Sequence, residues 1–460
     1  MIYEIPDGVC MTEGLRLAKL VVYGCQMNER DSETIAGYLG KAGYALTEDE
    51  RGADLVLYLT CCVRGNAEDR ALGNLGQAKR LKKARPGLKV GICGCMAQEG
   101  WVREALGGRL SWIDLAFGTH NIHRLPELLA RLDSGERVVE VWDFPQEVVE
   151  DLPVLRKDPL KAFVNITYGC DNFCTYCIVP YVRGRERSRG VKEIEAECVE
   201  AAGSGVKDIT LLGQNVNAYG KGLAPADGLE RPDFPYLLGV LDEALPEGIR
   251  LRFTTSHPRF VDDRMIEAVA SLKKVCEQYH LPVQAGSDKV LGMMNRGYTA
   301  SGYLAMLDRV RKAVPGCAVT SDIMVGFPGE TEEDFLDTLA VVEEARFDAA
   351  FTFVYSPRKG TAAEAMPGQV PEEEKKDRIK RLIDLQNRIS LSVNRGLVGK
   401  VEEVMAEGPS EKDPGMWSGR TRTNKMVHWP ETGVAPGRLV RVRIERARTF
   451  VLHGTREDRT

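Results

Sequence analysis

Residues 170–177 read CDNFCTYC, three cysteines with the spacing CxxxCxxC. The first of these cysteines is the last residue of the apolar run AFVNITYGC at 162–170, and the other two follow that run. Such a run is typical of a buried β-strand. The pattern predicts that Cys170 ends this strand and that Cys174 and Cys177 lie in the loop after it. Since the carboxyl ends of strands carry the functional sites of βα folds, the triplet indicates a site rather than packing.

The chain around the triplet alternates strands and helices from 161 to 365. Six units in about 200 residues fit a partial (βα)6 barrel better than an eight-unit barrel. Thr331 with Asp334 also predicts a capping box at the start of the helix EEDFLDTLAVVEEA. The six strand patterns are AFVNITYGC, DITLLGQNVN, RLRFTTSHP, YHLPVQAGSD, VTSDIMVGFPG and DAAFTFVYS.

The flanking parts of the chain have different patterns. Residues 17–130 alternate continuous apolar runs with amphipathic helices, which predicts a parallel sheet. Residues 143–160 are acidic and proline-containing, as in a linker, and 371–396 reads as one long helix. Short alternating strands in 398–455 predict a small all-β barrel or sandwich. We therefore predict an α/β protein with domains at 15–142, 156–390 and 393–456.

Composition narrows the functional classes. The chain has 460 residues, is 43% apolar and 28% charged, and carries a formal net charge of −5. No apolar run reaches the roughly 18–20 residues that span a bilayer, and the N-terminus lacks a signal-peptide pattern. We therefore expect a cytoplasmic protein with no membrane partner. Disulfides are rare in that compartment, so the 12 cysteines suggest metal binding or catalysis.

The triplet favours an iron–sulfur cluster. Three thiolates from one loop can hold three corners of a cluster and leave one iron open to a small molecule. The alternative is a zinc site, which normally needs four ligands. Its fourth ligand would be Cys198 or a histidine.

A second set of cysteines follows the strands of the N-terminal sheet. Cys25, Cys61 and Cys95 end the runs VVYGC, VLYLTC and VGICGC. Parallel strands end at one edge of a sheet, so these three thiols are predicted to meet. Cys62 and Cys93 compete with Cys61 and Cys95; we choose Cys95 over Cys93 because it lies further past its strand. Burial of these thiols as small apolar side chains is the alternative to a metal site.

CxxxCxxC with Tyr176 before the last cysteine, on the first loop of a βα barrel, resembles the radical S-adenosylmethionine (SAM) superfamily. The resemblance implies a 4Fe–4S cluster on Cys170, Cys174 and Cys177 whose open iron binds SAM. The reduced cluster would cleave SAM to methionine and a 5′-deoxyadenosyl radical. Tyr176 is a candidate SAM contact, as are three polar residues at or just past predicted strand ends, namely Gln214, Ser256 and Gln284.

The whole chain, from about 17 to 455, is similar to the methylthiotransferase family within that superfamily. YGCQMN at 23–28, TCCVR at 60–64 and GCMAQ at 94–98 match the three cysteine motifs of its N-terminal domain. The resemblance implies a second, auxiliary 4Fe–4S cluster on Cys25, Cys61 and Cys95 that supplies sulfur. One position departs from the family, because Leu59 stands where asparagine is common.

Four stretches resemble the tRNA-modifying MiaB type of this family: CIVPYVRGRERSR, HLPVQAGSD, GTHNIHRLP and SGRTRTNKMV. The implied reaction replaces the C–H at carbon 2 of an N6-isopentenyladenosine beside the anticodon with a methylthio group. Alternatives are the same chemistry on threonylcarbamoyl-adenosine or on a ribosomal-protein aspartate. A cobalamin-dependent radical SAM enzyme would need a D-x-H-x-x-G stretch, which the six histidines lack. The non-enzyme alternative is a zinc-dependent RNA-binding protein.

Basic residues predict where tRNA binds. Residues 418–450 hold eight basic and two acidic side chains and resemble the RNA-binding TRAM domain. The loop VRGRERSR at 182–189 follows the triplet and is predicted to hold the tRNA backbone. Further expected partners are a low-potential electron donor, such as a flavodoxin or ferredoxin, and a sulfur or iron–sulfur assembly system. The candidate RNA contacts are Arg183, Arg185, Arg187, Arg189, Arg420, Arg422, Lys425, Arg441 and Arg443.

Overall fold

The computed structural model describes residues 15–62, 65–144, 147–225, 231–411, 413–430 and 433–457. Within that part the chain forms two compact units. The first contains the described residues up to Lys157 together with 168–171 and 177–189. The second contains 158–167, 172–176 and the described residues from Gly190 onward.

The first unit is built on a six-stranded sheet in which every neighbouring pair is parallel. The strand order is β2-β1-β3-β4-β5-β6. Its strands are β1 (Arg16–Val22), β2 (Tyr44–Leu46), β3 (Leu55–Thr60), β4 (Lys89–Gly94), β5 (Leu115–Phe117) and β6 (Val138–Glu140). Its helices are α1 (Gln26–Lys41), α2 (Gly65–Ala84), α3 (Gly100–Gly107) and α4 (Leu125–Asp133).

Continuous apolar sequence explains why these strands are central. All six residues of β3, LVLYLT, are buried. Its alternate side chains enter different cores: Tyr58 packs with the apolar residues of α2 and α3, and Leu57 with those of α1 and α4. A sheet covered on both faces by helices is the arrangement that continuous apolar runs predict, so this prediction is confirmed.

The chain leaves and re-enters the first unit between 158 and 189. β7 (Lys161–Asn165) belongs to the second unit, and then come β8 (Thr167–Tyr168), α5 (Val179–Val182) and β9 (Arg187–Ser188). The predicted strand through Cys170 is therefore wrong, because β7 already ends at Asn165. Gly169 breaks the extension: its φ is +76°, and a Cβ there would lie 2.2 Å from the carbonyl oxygen of Arg185.

The second unit contains six parallel strands in two three-stranded sheets, β7-β10-β11 and β12-β13-β14. A parallel bridge between Leu251 of β11 and Val275, three residues before β12, connects the edges of the two sheets, which confirms the predicted partial (βα)6 barrel. The remaining strands are β10 (Asp208–Leu212), β11 (Arg250–Thr254), β12 (Gln278–His280), β13 (Ala318–Val325) and β14 (Ala349–Val354). The helices are α6 (Val191–Gly203), α7 (Phe234–Ala244), α8 (Asp263–Ser271), α9 (Asp288–Met293), α10 (Ala300–Ala313) and α11 (Glu332–Ala345).

The C-terminal part confirms the long helix and the small barrel. Helix α12 (Glu372–Arg395) leads into five strands that close in the order β15-β16-β17-β19-β18. The predicted capping box is also present, with Thr331 and Asp334 each bonding the other's backbone N–H at the start of α11. The five strands are β15 (Val401–Ser410), β16 (Asp413–Thr421), β17 (Met426–Pro430), β18 (Leu439–Ala447) and β19 (Val451–Arg456).

Polar contacts explain why the second and third predicted domains form one unit. The turn between β16 and β17 docks on the amino-terminal ends of the central strands. Arg422 binds both carboxylate oxygens of Glu277 and donates 2.7 Å to the carbonyl of Val275. Arg252, buried beside Asp208, donates to the carbonyl oxygens of Thr421 and Arg422. Such charge-assisted, bidentate pairs hold the two barrels in a defined arrangement.

No helix among the described residues is long and apolar enough to cross a membrane.

Candidate functional site

The first unit brings its three predicted cysteines to one edge of the sheet. β1, β3 and β4 are neighbours, and each is followed closely by a cysteine. Cys25 is the N-cap of α1, Cys61 comes directly after β3, and Cys95 opens a 3-10 turn after β4. Val63 and Arg64 of the TCCVR motif lie outside the described residues.

Two glycines allow the strand ends to approach one another. Gly24, at φ +114°, is so close to Cys61 that a Cβ would lie 2.4 Å from the Cys61 Cβ. Gly94, at φ +89°, would place a Cβ 2.6 Å from the carbonyl oxygen of Thr60. Any side chain would push the strand ends apart, and both φ values favour glycine. The glycine immediately before Cys25 and the one before Cys95 therefore help to bring these thiols close together.

Asn28 fixes the same strand ends by hydrogen bonds. It is fully buried, and its amide nitrogen donates 2.7 Å to the carbonyl of Tyr23 and 3.0 Å to the carbonyl of Thr60. The Thr60 hydroxyl in turn donates 2.7 Å to the carbonyl of Cys93 in β4. The carboxyl ends of β1, β3 and β4 are therefore tied by side chains as well as by the sheet.

Arg183 lies in the interior of this group. Only 6% of the residue is exposed. Its Nη2 donates 2.8 Å to Asn28 Oδ1 and 2.7 Å to Asp31 Oδ2, and its Nε donates 3.3 Å to Cys95 Sγ. Burial alone would lower the pKa of Arg183, but Asp31, Cys95 and Cys25 together raise it well above its ordinary value. Arg183 is thus a full positive charge beside the thiols.

The thiols form two hydrogen-bonded pairs, Cys25 with Cys61 and Cys62 with Cys95. The bond from Cys61, helped by the charge of Arg183 and two backbone N–H groups of α1, outweighs burial and lowers the pKa of Cys25 to about 5. The bond from Cys62 and the charge of Arg183 likewise lower the pKa of Cys95. Within the described ranges, no three Cys, His, Asp or Glu side chains are already arranged as ligands of one metal ion.

The two competing cysteines have different surroundings. Cys93 is fully buried in the apolar core between the sheet and helices α1 and α4, and burial raises its pKa well above the usual value. Leu59, at the position where the family commonly has asparagine, packs in that same core. Cys62, by contrast, lies with Cys95, Ile178 and Val182, so it stays an alternative ligand. The thiol environment thus favours Cys95 over Cys93.

The cysteines of the CxxxCxxC loop are divided between the units. Cys170 and Cys177 group with the first unit, and both are partly exposed. The backbone N–H of Cys170 donates 3.2 Å to the carbonyl of Gly184. Cys174 groups with the second unit, where the buried Arg296 donates 3.3 Å to its sulfur and 2.8 Å to the carbonyl of Pro282.

Two of the candidate SAM residues lie just past the carboxyl ends of central strands, and a third lies four residues past β12. Gln214 follows β10, Ser256 follows β11, and Gln284 pairs with Ile323 of β13 at φ +69°. Tyr176 packs on an apolar cluster that includes Phe327.

Buried polar atoms at this edge test whether a polar cofactor fits there. Three of them have no hydrogen-bond partner within the described residues: Thr167 Oγ1, Asn215 Nδ2 and Ser256 Oγ. They follow β7, β10 and β11, three adjacent strands. Because buried polar groups normally have partners, this edge suits a ligand with polar groups, such as the amino acid and ribose parts of SAM.

The basic loop after the triplet is only partly available to a partner. Arg183 and Arg189 are each 6% exposed, and Arg189 binds Glu150 at 2.6 Å. Burial lowers the pKa of Arg187, whose guanidinium lies over the ring of Tyr168. Arg185 is exposed and pairs with Asp171. Because they are buried, Arg183 and Arg189 are unsuited to direct contact with an RNA backbone. Arg185 is exposed and could make that contact.

The C-terminal candidates also fall into two groups. Arg420, Arg422 and Lys425 form ion pairs with Glu407, Glu277 and Asp348 inside the second unit. Arg441 and Arg443 instead lie on the exposed face of β18, between the buried Val440, Val442 and Ile444. The exposed β18 face is therefore the better candidate for RNA contact.

Two side chains at the candidate site, Arg296 and Asn28, are not predicted from the sequence. Arg296 occurs in MNRGYT and is linked to Cys174 only by the fold. Asn28 is three residues after Cys25 within YGCQMN, a spacing that places both in the first turn of a helix. That spacing could have marked Asn28 as a neighbour of the thiol, although not its bonds to two strands.

Comparisons with protein families match all three parts of the chain. Residues 18–118 match Uncharacterized protein family UPF0004, residues 164–342 match the Radical SAM superfamily, and residues 395–455 match the TRAM domain.

Three relatives are similar over nearly their whole length, and each is called tRNA-2-methylthio-N(6)-dimethylallyladenosine synthase. That of Desulforamulus reducens is 50% identical over 449 residues, covering 96% of this chain and 97% of its own. That of Thermoanaerobacter pseudethanolicus is 52% identical, covering 94% and 91%. That of Moorella thermoacetica is 48% identical, covering 97% and 100%.

Among solved structures, the radical S-adenosylmethionine methyltransferase TsrM from Kitasatospora setae, with cobalamin and a [4Fe-4S] cluster bound, has a similar fold. Its TM-score is 0.54 at 14% identity, covering 76% of this chain and 74% of that chain. At this identity the likeness describes the fold alone.

The lowered pKa of Cys25 predicts an unusual alkylation profile in the reduced, metal-free chain. Thiolates, not thiols, react with iodoacetamide, so the rate at Cys25 should rise through about pH 5 and then stay level to pH 8. An ordinary thiol, with a pKa of about 8.5, gains roughly tenfold per pH unit over that upper range. Peptide mass spectrometry after timed labelling gives the rate at each cysteine.

Two variants at one position provide the control. Cys61→Ala removes the hydrogen bond to Cys25 and should return its profile toward that of an ordinary thiol, whereas Cys61→Ser keeps a donor and should preserve the level region. A Cys25 rate that climbs steadily to pH 8 in the parent chain would contradict this electrostatic description.

Proposed function

This chain belongs to the family of the tRNA-2-methylthio-N(6)-dimethylallyladenosine synthases, and we propose that it catalyses the reaction of its relatives. It would convert N6-isopentenyladenosine beside a tRNA anticodon to the 2-methylthio derivative. The observation that carries the proposal is the meeting of Cys25, Cys61 and Cys95 at the ends of β1, β3 and β4. A second thiol site of this kind, in addition to the radical SAM motif, is what sulfur insertion requires.

Two groups of cysteines would hold the inorganic cofactors. We assign Cys170, Cys174 and Cys177 to a 4Fe–4S cluster that binds SAM, and Cys25, Cys61 and Cys95 to an auxiliary 4Fe–4S cluster. Thiolates are the preferred ligands of iron–sulfur clusters, and the lowered pKa values of Cys25 and Cys95 favour that form. When bound, these groups would supply electron transfer to SAM, radical chemistry and the inserted sulfur.

The protein's own contribution is to bind, orient and exclude water. The unpaired Thr167 Oγ1, Asn215 Nδ2 and Ser256 Oγ atoms offer a buried polar edge for SAM, beside Gln214 and Gln284. Tyr176, which packs on the cluster that includes Phe327, is proposed as a further SAM contact. An aromatic C–H at carbon 2 has no acidic proton, so a general acid–base pair would contribute little, and the residues needed are those that hold cofactors and substrate.

Recognition of tRNA is assigned to the exposed basic face of β18. Arg441 and Arg443 alternate with buried valines, so their guanidinium groups face away from the core of the barrel. Arg443 forms an ion pair with Glu457 at the surface. Surface ion pairs contribute little to stability, so a phosphate group can replace Glu457 as the partner of Arg443. Arg185 supplies a further exposed cation in the first unit.

The remaining partners follow from the chemistry. Reductive cleavage of SAM needs an electron donor of low potential, such as a flavodoxin or ferredoxin. Repeated turnover needs a system that replaces the transferred sulfur. A tRNA substrate would place the chain in the cytoplasm.

Nucleoside mass spectrometry tests the proposed reaction. The iron-reconstituted chain would receive SAM, a strong reductant and a mixture of isopentenyl- and threonylcarbamoyl-modified tRNAs under anaerobic conditions. We expect a methylthio mass shift on the isopentenyl nucleoside alone. The matched control is Cys25→Ala/Cys61→Ala/Cys95→Ala, which should still release 5′-deoxyadenosine but give no methylthio product.

Other outcomes redirect the proposal. A shift on the threonylcarbamoyl nucleoside would keep the chemistry and change the substrate. Release of 5′-deoxyadenosine without either shift would favour the ribosomal-protein aspartate. If neither 5′-deoxyadenosine nor a methylthio nucleoside is formed, the proposal is contradicted and a zinc-dependent RNA-binding role remains.

Neutralising the β18 face should weaken tRNA binding. Arg441→Gln/Arg443→Gln removes the cations that would neutralise up to two phosphates, so the log–log slope of affinity against salt should fall by roughly 0.7 to 0.9 for each phosphate that is no longer bound. The control Arg264→Gln/Arg309→Gln removes two exposed arginines from helices of the same unit and should leave the slope unchanged. Equal slopes for all three proteins, measured by filter binding, would exclude β18 from the tRNA interface.

A further inference from the structure

Arg183 is a cation enclosed among candidate cluster ligands. It is predicted from sequence as an RNA contact, yet it is 6% exposed and donates to Cys95, Asn28 and Asp31. Each of these partners belongs to the first unit, as does Arg183. Its charge acts on both Cys25 and Cys95.

The backbone around Arg183 is held in place as firmly as its side chain. The hydroxyl of Thr119 donates 2.6 Å to the carbonyl of Val182, and Val182 packs with Cys62 and Cys95. Gly184, directly after Arg183, accepts from the N–H of Cys170. The guanidinium therefore reaches the thiols from a segment fixed on both sides, which makes its position reproducible.

The charge of Arg183 is balanced by Asp31 but remains directed at Cys95. A buried arginine is costly unless it is paired, and Asp31 at 2.7 Å offsets its charge. The pair is nonetheless a directed dipole: the N–H of Arg183 points at Cys95 Sγ, and the carboxylate of Asp31 is bound by a different nitrogen of the guanidinium. Hydrogen bonds to cluster sulfurs and local net charge are the means by which a protein sets the potential of an iron–sulfur cluster.

We propose that Arg183 is a positioning residue for the auxiliary cluster. It would raise the reduction potential of that cluster by donating to the Cys95 thiolate, while Asp31 limits the effect. Nothing in the proposed reaction requires this residue, but the inference rests on the proposed function in one respect, that Cys25, Cys61 and Cys95 hold a cluster. Asn28 links the two assignments, since it bonds both Arg183 and the strand ends that carry the thiols.

Redox titration followed by electron paramagnetic resonance tests the inference. The full-length Cys170→Ala/Cys174→Ala/Cys177→Ala chain isolates the auxiliary cluster. In that background, Arg183→Gln should shift the midpoint potential to a more negative value, because a positive charge and a donor to sulfur are removed. Asp31→Asn should shift it in the opposite direction, because the offsetting negative charge is removed while Arg183 remains.

Opposite signs separate an electrostatic role from a structural one. If Arg183 and Asp31 only stabilised the fold, both variants would lower iron content and stability without moving the potential in opposite directions. The matched control is Arg137→Gln, another first-unit arginine that bonds two carbonyls but no cysteine, and its potential should equal the parent value. If Arg183→Gln prevents folding, the midpoint potential of Asp31→Asn still distinguishes the two roles, because only the electrostatic role predicts a positive shift.

The possible failures are distinguishable. A cluster that forms in this background but keeps the parent potential in both variants would overturn the role of Arg183 alone. No cluster at all in the background with Arg183 intact would overturn the auxiliary ligand set on which the inference rests.

Discussion

The convergence of three parallel strands at one sheet edge is the constraint on which the first unit depends. β1, β3 and β4 are neighbours, so the residues that follow them meet although they are far apart in sequence. Gly24 and Gly94 allow the close approach, and the buried amide of Asn28 ties two of the ends together. A sheet covered on both faces has only its strand ends free for chemistry, and here those ends present thiols.

The two cysteine sets share a physical solution. Each has a buried arginine whose N–H groups reach both a cysteine sulfur and oxygen acceptors: Arg183 at Cys95 and Arg296 at Cys174. At Cys25 and Cys95, the positive charge of Arg183 favours thiolate over thiol and lowers the cost of gathering negative charge away from water. The exposed arginines of β18 are chemically the same group, but they differ from Arg183 and Arg296 in being accessible to solvent.

Sequence patterns predicted the elements that depend on local or periodic signals. The parallel first sheet, the six-stranded partial barrel, the Thr331 capping box and the closed C-terminal barrel are all confirmed. The strand into Cys170 was wrong because a positive φ at Gly169 ends the extension, a conformation that apolar pattern cannot register. Likewise, the burial of Arg183 and the contact of Arg422 with Glu277 depend on long-range packing. From sequence alone, a run of basic residues predicts exposed side chains.

The central claim is that the strand-end cysteines hold a cluster independently of the CxxxCxxC loop. Mössbauer spectroscopy of iron-57-reconstituted protein tests it most directly, on the parent chain, Cys25→Ala/Cys61→Ala/Cys95→Ala and Cys170→Ala/Cys174→Ala/Cys177→Ala. We predict that each triple variant keeps half of the parent's cluster iron, still with the spectrum of a 4Fe–4S cluster. Full cluster iron in the first variant, or none in the second, would contradict the account.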